Sequence, residues 1–420
     1  MQAPYRVRQD CRLCRSKDLD KVVPLAPMPI ATPNFRLHGV SREDAIYREA
    51  VPLDLYLCRA CGLLQVTHVA DAHVQFDNYV YATSLSLGLR QHFQRYAEEV
   101  VAAVRPLPDA LVVELGSNDG TLLGFFKSKG LRVQGCDPAA SIAAKAAAGG
   151  IPTVPDFFGT AVARRIRNEQ GPATIVVANN VIANVDDLFD LIAGVRDVLA
   201  DDGVFVFETQ YGLDVVVDNL LDTVYHEHLS YFYIRPLQMF LRNAGMEMID
   251  VVHIPTKGGS IRVFAQKAGG PRPVAVAVGD AVKREMEIGA YDEAIYRRLV
   301  ERIATVRDQL NDEVARARDH GRKVAGYGVS VGTTTLLSQF ALSDKLDMLF
   351  DDDLDKEPVL SGPGYDLPVF GPAALLQHDP GLIVIFAWRY ADSILAKHRA
   401  WLDAGGIAAV PLPDVRLVRR

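Results

Sequence analysis

Ala110-Leu111-Val112-Val113-Glu114-Leu115-Gly116-Ser117-Asn118-Asp119-Gly120 is an apolar run that ends in a glycine-punctuated loop. It is too short for a helix and rich in β-branched residues, so it predicts a strand buried on both faces, turning sharply into a helix. Gly116 and Gly120 let the backbone turn and approach a ligand without a Cβ in the way. Working outward, LRVQGCD (131–137), ATIVVANN (173–180) and GVFVFET (203–209) repeat the pattern, with helical segments between them. Alternating strand and helix is the mark of a parallel sheet with crossover helices, and the fold class is α/β.

The loop also narrows the ligand. Asp137 ends the second strand about 20 residues past it, where an acidic side chain can hydrogen-bond a ribose diol. That geometry fits either a dinucleotide or S-adenosylmethionine. The motif is E-x-G-x-x-x-G, without the three-glycine turn that cradles a pyrophosphate, and so favours the phosphate-free methyl donor. Glu114 can then face a sulfonium or amino group. Asp156 and Phe157 can supply a hydrogen bond and an aromatic wall for adenine. The competing reading of the loop is a plain strand-to-helix turn.

On either side the chain changes character. Residues 1–70 read as strand-poor and hold Cys11, Cys14, Cys58 and Cys61. Paired Cys-x-x-Cys in a chain with no secretory pattern reads as metal binding, and two such knuckles complete a tetrahedral structural zinc site. Cys136, alone in the second strand, reads as core. A helix is expected over 86–105. MEMIDVVHIP (246–255) and SIRVFAQKA (260–268) read as an antiparallel pair, and 282–321 as one long charged helix stopped by Gly321. From 322 a second strand–helix block runs through KVAGYG, LDMLFDDD, GLIVIFAW and IAAVPLP, with helices over 333–340 and 391–405. The expected division is a zinc module over 1–70, a methyltransferase domain over 71–272 and a Rossmann-like, doubly wound C-terminal domain over 273–420.

Composition sets outer limits. Apolar residues make up 49% and charged residues 23%, and the formal net charge is −7. That balance does not suit a nucleic acid backbone as partner. There is no export signal and no apolar run of about 18 residues, so a cytoplasmic protein off the membrane is expected. The sequence leaves the oligomeric state open, a monomer being one expectation.

Tyr225-His226-Glu227-His228-Leu229-Ser230-Tyr231-Phe232 is the densest titratable and aromatic cluster. It lacks the i, i+4 spacing of a helical zinc ligand pair and suits proton chemistry at a substrate, or else a polar interface with satisfied histidines. Together with the four cysteines, the ELGSNDG loop, NNVIANV (179–185), GGSIRV (258–263) and the C-terminal G-Y-G, this element makes the chain resemble the nucleotide-sugar C-methyltransferases. The resemblance runs over residues 9–415. It implies S-adenosylmethionine and zinc as cofactors and a nucleotide-linked keto-sugar held between the two larger domains. It also implies an enolate made by removing the proton beside the ring ketone.

Carried over residue by residue, it makes His228 the base and Glu227 its orienting partner. Tyr225 and Tyr79 become donors to the ketone or enolate, with Tyr81 as the competitor of Tyr79 and a substrate contact. Asn179 and Asn118 fall with the cofactor loop. Lys257, Ser260, Arg262, Tyr327 and Ser330 fall on the substrate side, with Arg262 able to meet a phosphate. Asn184 stands where many relatives have His, and Val331 where relatives often have Lys. The Asn184 change motivates one rival, an epimerase that binds the donor without transferring methyl. A second rival is a nicotinamide enzyme using Gly326–Gly332 with Asp351–Asp353. A third is a non-catalytic sugar-nucleotide binder.

Overall fold

The computed structural model describes residues 5–30, 49–77, 88–354 and 365–420. The N-terminal part forms strands rather than loops: β1 (Tyr5–Val7), β2 (Leu19–Val23), β3 (Leu55–Cys58), β4 (Leu64–Val66) and β5 (His68–Ala70). β1 pairs with β5, and β2, β3 and β4 form an antiparallel sheet. The expectation of a strand-poor region is corrected here. These strands are three to five residues long, so no alternating run was long enough to register.

The central sheet contains β6 (Leu111–Leu115), β7 (Arg132–Cys136), β8 (Thr153–Val154), β9 (Ala173–Asn179) and β10 (Leu199–Gln210), all parallel. Alternate residues of β6 and β9 feed two cores. Val113, Leu115, Val176 and Ala178 face one; Val112, Ile175 and Val177 face the other, where Phe93, Tyr96 and Val100 of the Leu89–Val104 helix pack. Both faces are therefore covered, as expected from strands without a polar side. β11 (Ser230–Tyr231) belongs by chain order to this part, yet it pairs with β4 as the edge of the N-terminal sheet. β12 (Met246–Ile254) and β13 (Ser260–Lys267) form the expected antiparallel pair and extend the central sheet in the order β12-β13-β10-β9-β6-β7-β8.

The single long helix expected over 282–321 is two helices, Val276–Ile288 and Glu293–Asp319. Gly289 adopts φ 75° and donates its N–H to Met286 O, a left-handed stop that the charged pattern on both sides obscured. The helix expected over 391–405 likewise divides at His398, into Ala391–Lys397 and Arg399–Asp403. The last sheet runs β16 (Val369–Phe370), β15 (Met348–Phe350), β14 (Val324–Tyr327), β17 (Leu382–Ile385), β18 (Ile407–Val410) and β19 (Arg416–Val418). It is parallel except at β19, and the chain is doubly wound about β14. Among the described residues no helix is long and apolar enough to cross a membrane.

Candidate functional site

In an open parallel sheet, ligands sit outside the carboxyl ends of the strands. Here polar side chains stand at or beside the carboxyl ends of β6, β9 and β10. Glu114 Oε2, Ser117 Oγ, both amide atoms of Asn179, Thr209 Oγ1 and Gln210 Oε1 are shielded from solvent and lack a hydrogen-bond partner among the described residues. Asn179 lies opposite Glu208 in the β9–β10 register, and Thr209 and Gln210 follow it. Buried polar atoms are rarely left unpaired, and those of Glu114 and Asn179 stand at the carboxyl ends of the neighbouring strands β6 and β9, a place suited to a polar ligand. Burial, then the charges of Asp137 and Asp119, pushes the Glu114 carboxyl well above its ordinary range.

The loop is built as the glycines required. Gly116 has φ 63°, and a Cβ there would lie 2.4 Å from Val181 Cγ2. Gly120 caps the Thr121–Ser128 helix at φ 78°. Asp137 accepts from Asn118 N at 2.8 Å and Ala139 N at 3.0 Å, holding the loop against the end of β7. Cys136 donates to Asp156 O at 3.0 Å and is core. Asp156 is exposed and accepts from Phe157 N at 2.7 Å; Phe157 meets His73 edge-on at 5.0 Å. The residues present fit S-adenosylmethionine: a glycine cradle, orphaned polar atoms and an acidic end to the second strand.

Residues 223–232 lie alongside, tied to the turn after β9 by Leu229 N donating to Ala183 O. His228 is buried, with Nδ1 2.7 Å from Thr223 O and Nε2 3.0 Å from the Tyr225 hydroxyl. A carbonyl can only accept, so Nδ1 carries the proton and Nε2 presents a lone pair, to which Tyr225 donates. Burial and the nearby Lys257 charge push the imidazole down to about 3, so it stays neutral in ordinary conditions. Thr223, not Glu227, orients the ring, because Nδ1–H goes to the Thr223 carbonyl, which corrects the role expected for Glu227. Burial pushes Glu227 up to about 7, with Lys257 opposing. Lys257 stands at φ 55° in the turn Thr256–Gly258 and is exposed. Asn184 ends the short turn Ile182–Asn184, its Oδ1 buried and without a partner among the described residues, and Leu229 N donates to Ala183 O at 2.8 Å in the same turn.

Other expected contacts are already occupied. Arg262 is 3% exposed, paired with Glu208 at 2.7 Å and with Glu99, and stacked over Tyr96. Its charge is neutralised inside the fold, which removes it as a phosphate contact. Ser260 donates to Thr256 O at 2.9 Å and closes the Lys257 turn. Tyr327 donates to Asp352 at 2.5 Å, and Ser330 caps the Val331–Gln339 helix. Asp351 accepts from Val329 N at 2.6 Å, closing the very loop offered to a nicotinamide nucleotide. Tyr79 and Tyr81 lie outside the described residues. Sequence reading did not single out the buried polar atoms of Ser117, Thr209 and Gln210, whose only signal was position at or just past a buried strand's carboxyl end.

The cysteines meet as expected. All four sulfurs lie within 4.8 Å of one another, with Cys11–Cys61 and Cys14–Cys58 at 3.5 Å. Tetrahedral zinc–thiolate bonds of about 2.3 Å place sulfurs about 3.8 Å apart, so the donor set fits structural zinc with no position left open. Each knuckle closes on its first cysteine: Arg15 N donates to Cys11 O at 2.9 Å and Gly62 N to Cys58 O at 2.8 Å.

Family models match a zinc-binding domain over residues 11–76, a methyltransferase domain over 89–251 and a C-methyltransferase C-terminal domain over 255–413. The C-methyltransferase NovU of Streptomyces niveus is 32% identical over 100% of this chain and 99% of its own. Among solved structures, the magnesium protoporphyrin IX methyltransferase of Synechocystis PCC 6803 is 14% identical, over 43% of this chain and 84% of that one, at TM-score 0.34. The CcbJ methyltransferase of Streptomyces caelestis is 18% identical, over 42% of this chain and 90% of that one, at TM-score 0.33. On its full-length match, the chain belongs to the C-methyltransferase family with an N-terminal zinc-binding domain, and is an S-adenosylmethionine-dependent C-methyltransferase.

Proposed function

We propose that this enzyme acts in the cytoplasm on a nucleotide-linked 4-keto-6-deoxy sugar and methylates the carbon beside the ring ketone by way of an enolate. The observation that carries this reading is the neutral, buried His228, with Nδ1–H committed to Thr223 O and the Nε2 lone pair facing the Tyr225 hydroxyl. An ordinary sugar C–H is too weak an acid for such a base; a neighbouring carbonyl makes its removal feasible. S-adenosylmethionine, when bound, supplies an electrophilic methyl on a sulfonium.

The chain's own residues do the rest. His228 Nε2 takes the proton, and the Thr223 carbonyl steadies the imidazolium through Nδ1–H. Tyr225, released from Nε2, donates to the enolate oxygen as charge develops there. Lys257, exposed in the turn Thr256–Gly258, adds positive potential for the same charge. Asn184 contributes a hydrogen bond near the reacting carbon but no proton transfer. The polar ends of β6, β9 and β10 hold the donor, and the C-terminal sheet faces the sugar nucleotide. The three units are taken to span 1–70, 71–272 and 273–420.

A panel of 4-keto-6-deoxy sugar nucleotides, incubated with labelled donor in deuterated water, tests this by product mass spectrometry. One added methyl per sugar is expected. His228→Ala should lower kcat by about 10²- to 10⁴-fold, with affinity for the demethylated donor kept. Deuterium uptake without methyl gain would replace this reading by epimerisation, and no product from any keto-sugar would end it.

A further inference from the structure

Arg12 lies between two of the metal-binding cysteines and has no open surface. A guanidinium is costly to bury unless its donors are used; here Nε and Nη1 are used, and Nη2 is buried without a partner among the described residues. Its Nη1 donates to Val66 O at 2.6 Å, Gln65 Oε1 at 3.1 Å and Leu229 O at 3.1 Å. Its Nε donates to Asp186 Oδ1 at 2.8 Å, and its backbone N–H to Gln65 Oε1 at 3.1 Å.

Those acceptors sit on separate pieces of the molecule. Gln65 and Val66 belong to β4, Leu229 follows His228, and Asp186 lies two residues past Asn184. The remaining bonds close a ring around them. Val66 N donates to Leu229 O at 3.0 Å, and Leu229 N donates to Ala183 O at 2.8 Å. Asp186 also accepts from Arg8 at 3.0 Å and pairs with Arg6. The Leu229 carbonyl thus receives one donor from the zinc knuckle and one from β4, immediately beyond the proposed base.

We infer that Arg12 is a positioning residue: anchored between Cys11 and Cys14, its guanidinium fixes the Leu229 carbonyl and so sets where His228 Nε2 meets the substrate. This rests on the reading of His228 as the base. The guanidinium is a rigid planar fork, so a fixed origin at the knuckle becomes a fixed set of acceptors at its far end. Zinc held by the four thiolates fixes that origin. The metal module thereby acts on the reaction without touching it.

The alternative is that Arg12 only glues the module in place. Its loss would then cost stability and metal but leave the turnover of folded, metal-loaded protein unchanged. The test uses the full-length protein loaded with cobalt, whose visible absorption reports a tetrahedral thiolate site. Arg12→Ala is the first variant. Asp186→Asn, outside the knuckle, is the second. The readouts are the cobalt spectrum, calorimetric affinity for the demethylated donor, amide hydrogen exchange over residues 226–231, and steady-state kinetics.

For Arg12→Ala, an intact cobalt spectrum, unchanged donor affinity and faster exchange at Leu229 are expected. Because a misplacement of about 1 Å can cost about 100-fold, kcat should fall by about that factor while KM holds. Added guanidinium ion at millimolar levels should restore part of kcat. Asp186→Asn should move exchange and kcat in the same direction by less. Wild-type exchange and kcat in cobalt-loaded Arg12→Ala would overturn the inference. If that variant loses metal or does not fold, wild-type behaviour of Asp186→Asn overturns it instead. Should His228→Ala keep full turnover, the base assignment fails, while Leu229 exchange still decides what Arg12 holds.

Discussion

Glu227 is 6% exposed, and burial lifts its carboxyl from an ordinary 4.5 to about 7 against the pull of Lys257. The folded value lies above the unfolded one, so the folded state holds the proton more tightly. The stability this adds is fully present below 4.5 and is lost as pH rises through 7. Glu227→Gln keeps the shape and cannot ionise. Relative to wild type it should therefore gain on the order of 3 kcal/mol more at pH 8 than at pH 4. His226 and His228, pushed down to about 4 and about 3 by burial, act oppositely. Their contribution is present above 6.5 and is lost as pH falls. The difference between variant and wild type cancels them, and urea unfolding at the two pH values measures it. An equal difference at both would mean that folding does not shift the Glu227 carboxyl. The same substitution should leave His228 fixed, because Thr223 and Tyr225 hold the ring. Tyr225→Phe, by contrast, should lower kcat without loosening donor binding.

At the scale of elements, Gly116 and Val181 make the sharpest test of the cofactor loop. An added methyl at Gly116 meets Val181 Cγ2 at 2.4 Å and must also hold φ 63°. Overpacking costs about 1–3 kcal/mol and the left-handed backbone about another 1. Gly116→Ala should therefore weaken binding of the demethylated donor in calorimetry, and Val181→Ala added to it should recover part of the loss by making room. No recovery would place the whole cost in the backbone. A second element is held from afar: the helix Ile234–Asn243 has no side-chain cap of its own. Glu285, from the helix Val276–Ile288, accepts from Ile234 N at 2.5 Å and Arg235 N at 3.1 Å, and Pro236 needs no acceptor. Tyr211 and Tyr291 also donate to it, at 3.0 and 2.5 Å. Glu285→Ala should cost about 2–4 kcal/mol in urea unfolding, as losing a buried charged acceptor does.

Such remote partners also explain what was legible in sequence. The strand ends and the Gly116 turn were readable because short β-branched runs and glycines act locally. The N-terminal sheet was not, because its strands are short and one of them, β11, arrives more than a hundred residues later. His228 and Tyr225 could be named from residue type. The group that orients His228 is a backbone carbonyl, which no residue type announces, and the neighbouring carboxylate was mistaken for it.

Taken whole, the molecule grips residues 222–231 from three sides. The N-terminal sheet holds Leu229 through Val66 and Arg12, and Ser230–Tyr231 as β11. The central part holds Leu229 N through Ala183. The C-terminal part reaches in with Thr335, which is fully buried and donates to Val224 O at 2.9 Å, and with Arg389, which pairs with Asp222 at 2.5 Å. Val224 lies between the Thr223 carbonyl that orients His228 and the Tyr225 hydroxyl that faces it. Thr335→Val keeps the side-chain shape and removes the donor, leaving a buried carbonyl one bond short, a loss of about 1–3 kcal/mol. The donor site at the ends of β6, β9 and β10 makes no use of Thr335. Donor affinity should therefore be unchanged while kcat falls, and amide exchange at Val224–Tyr225 should quicken. If instead donor affinity falls in step with kcat, the C-terminal part acts on the whole central sheet and not on this one segment.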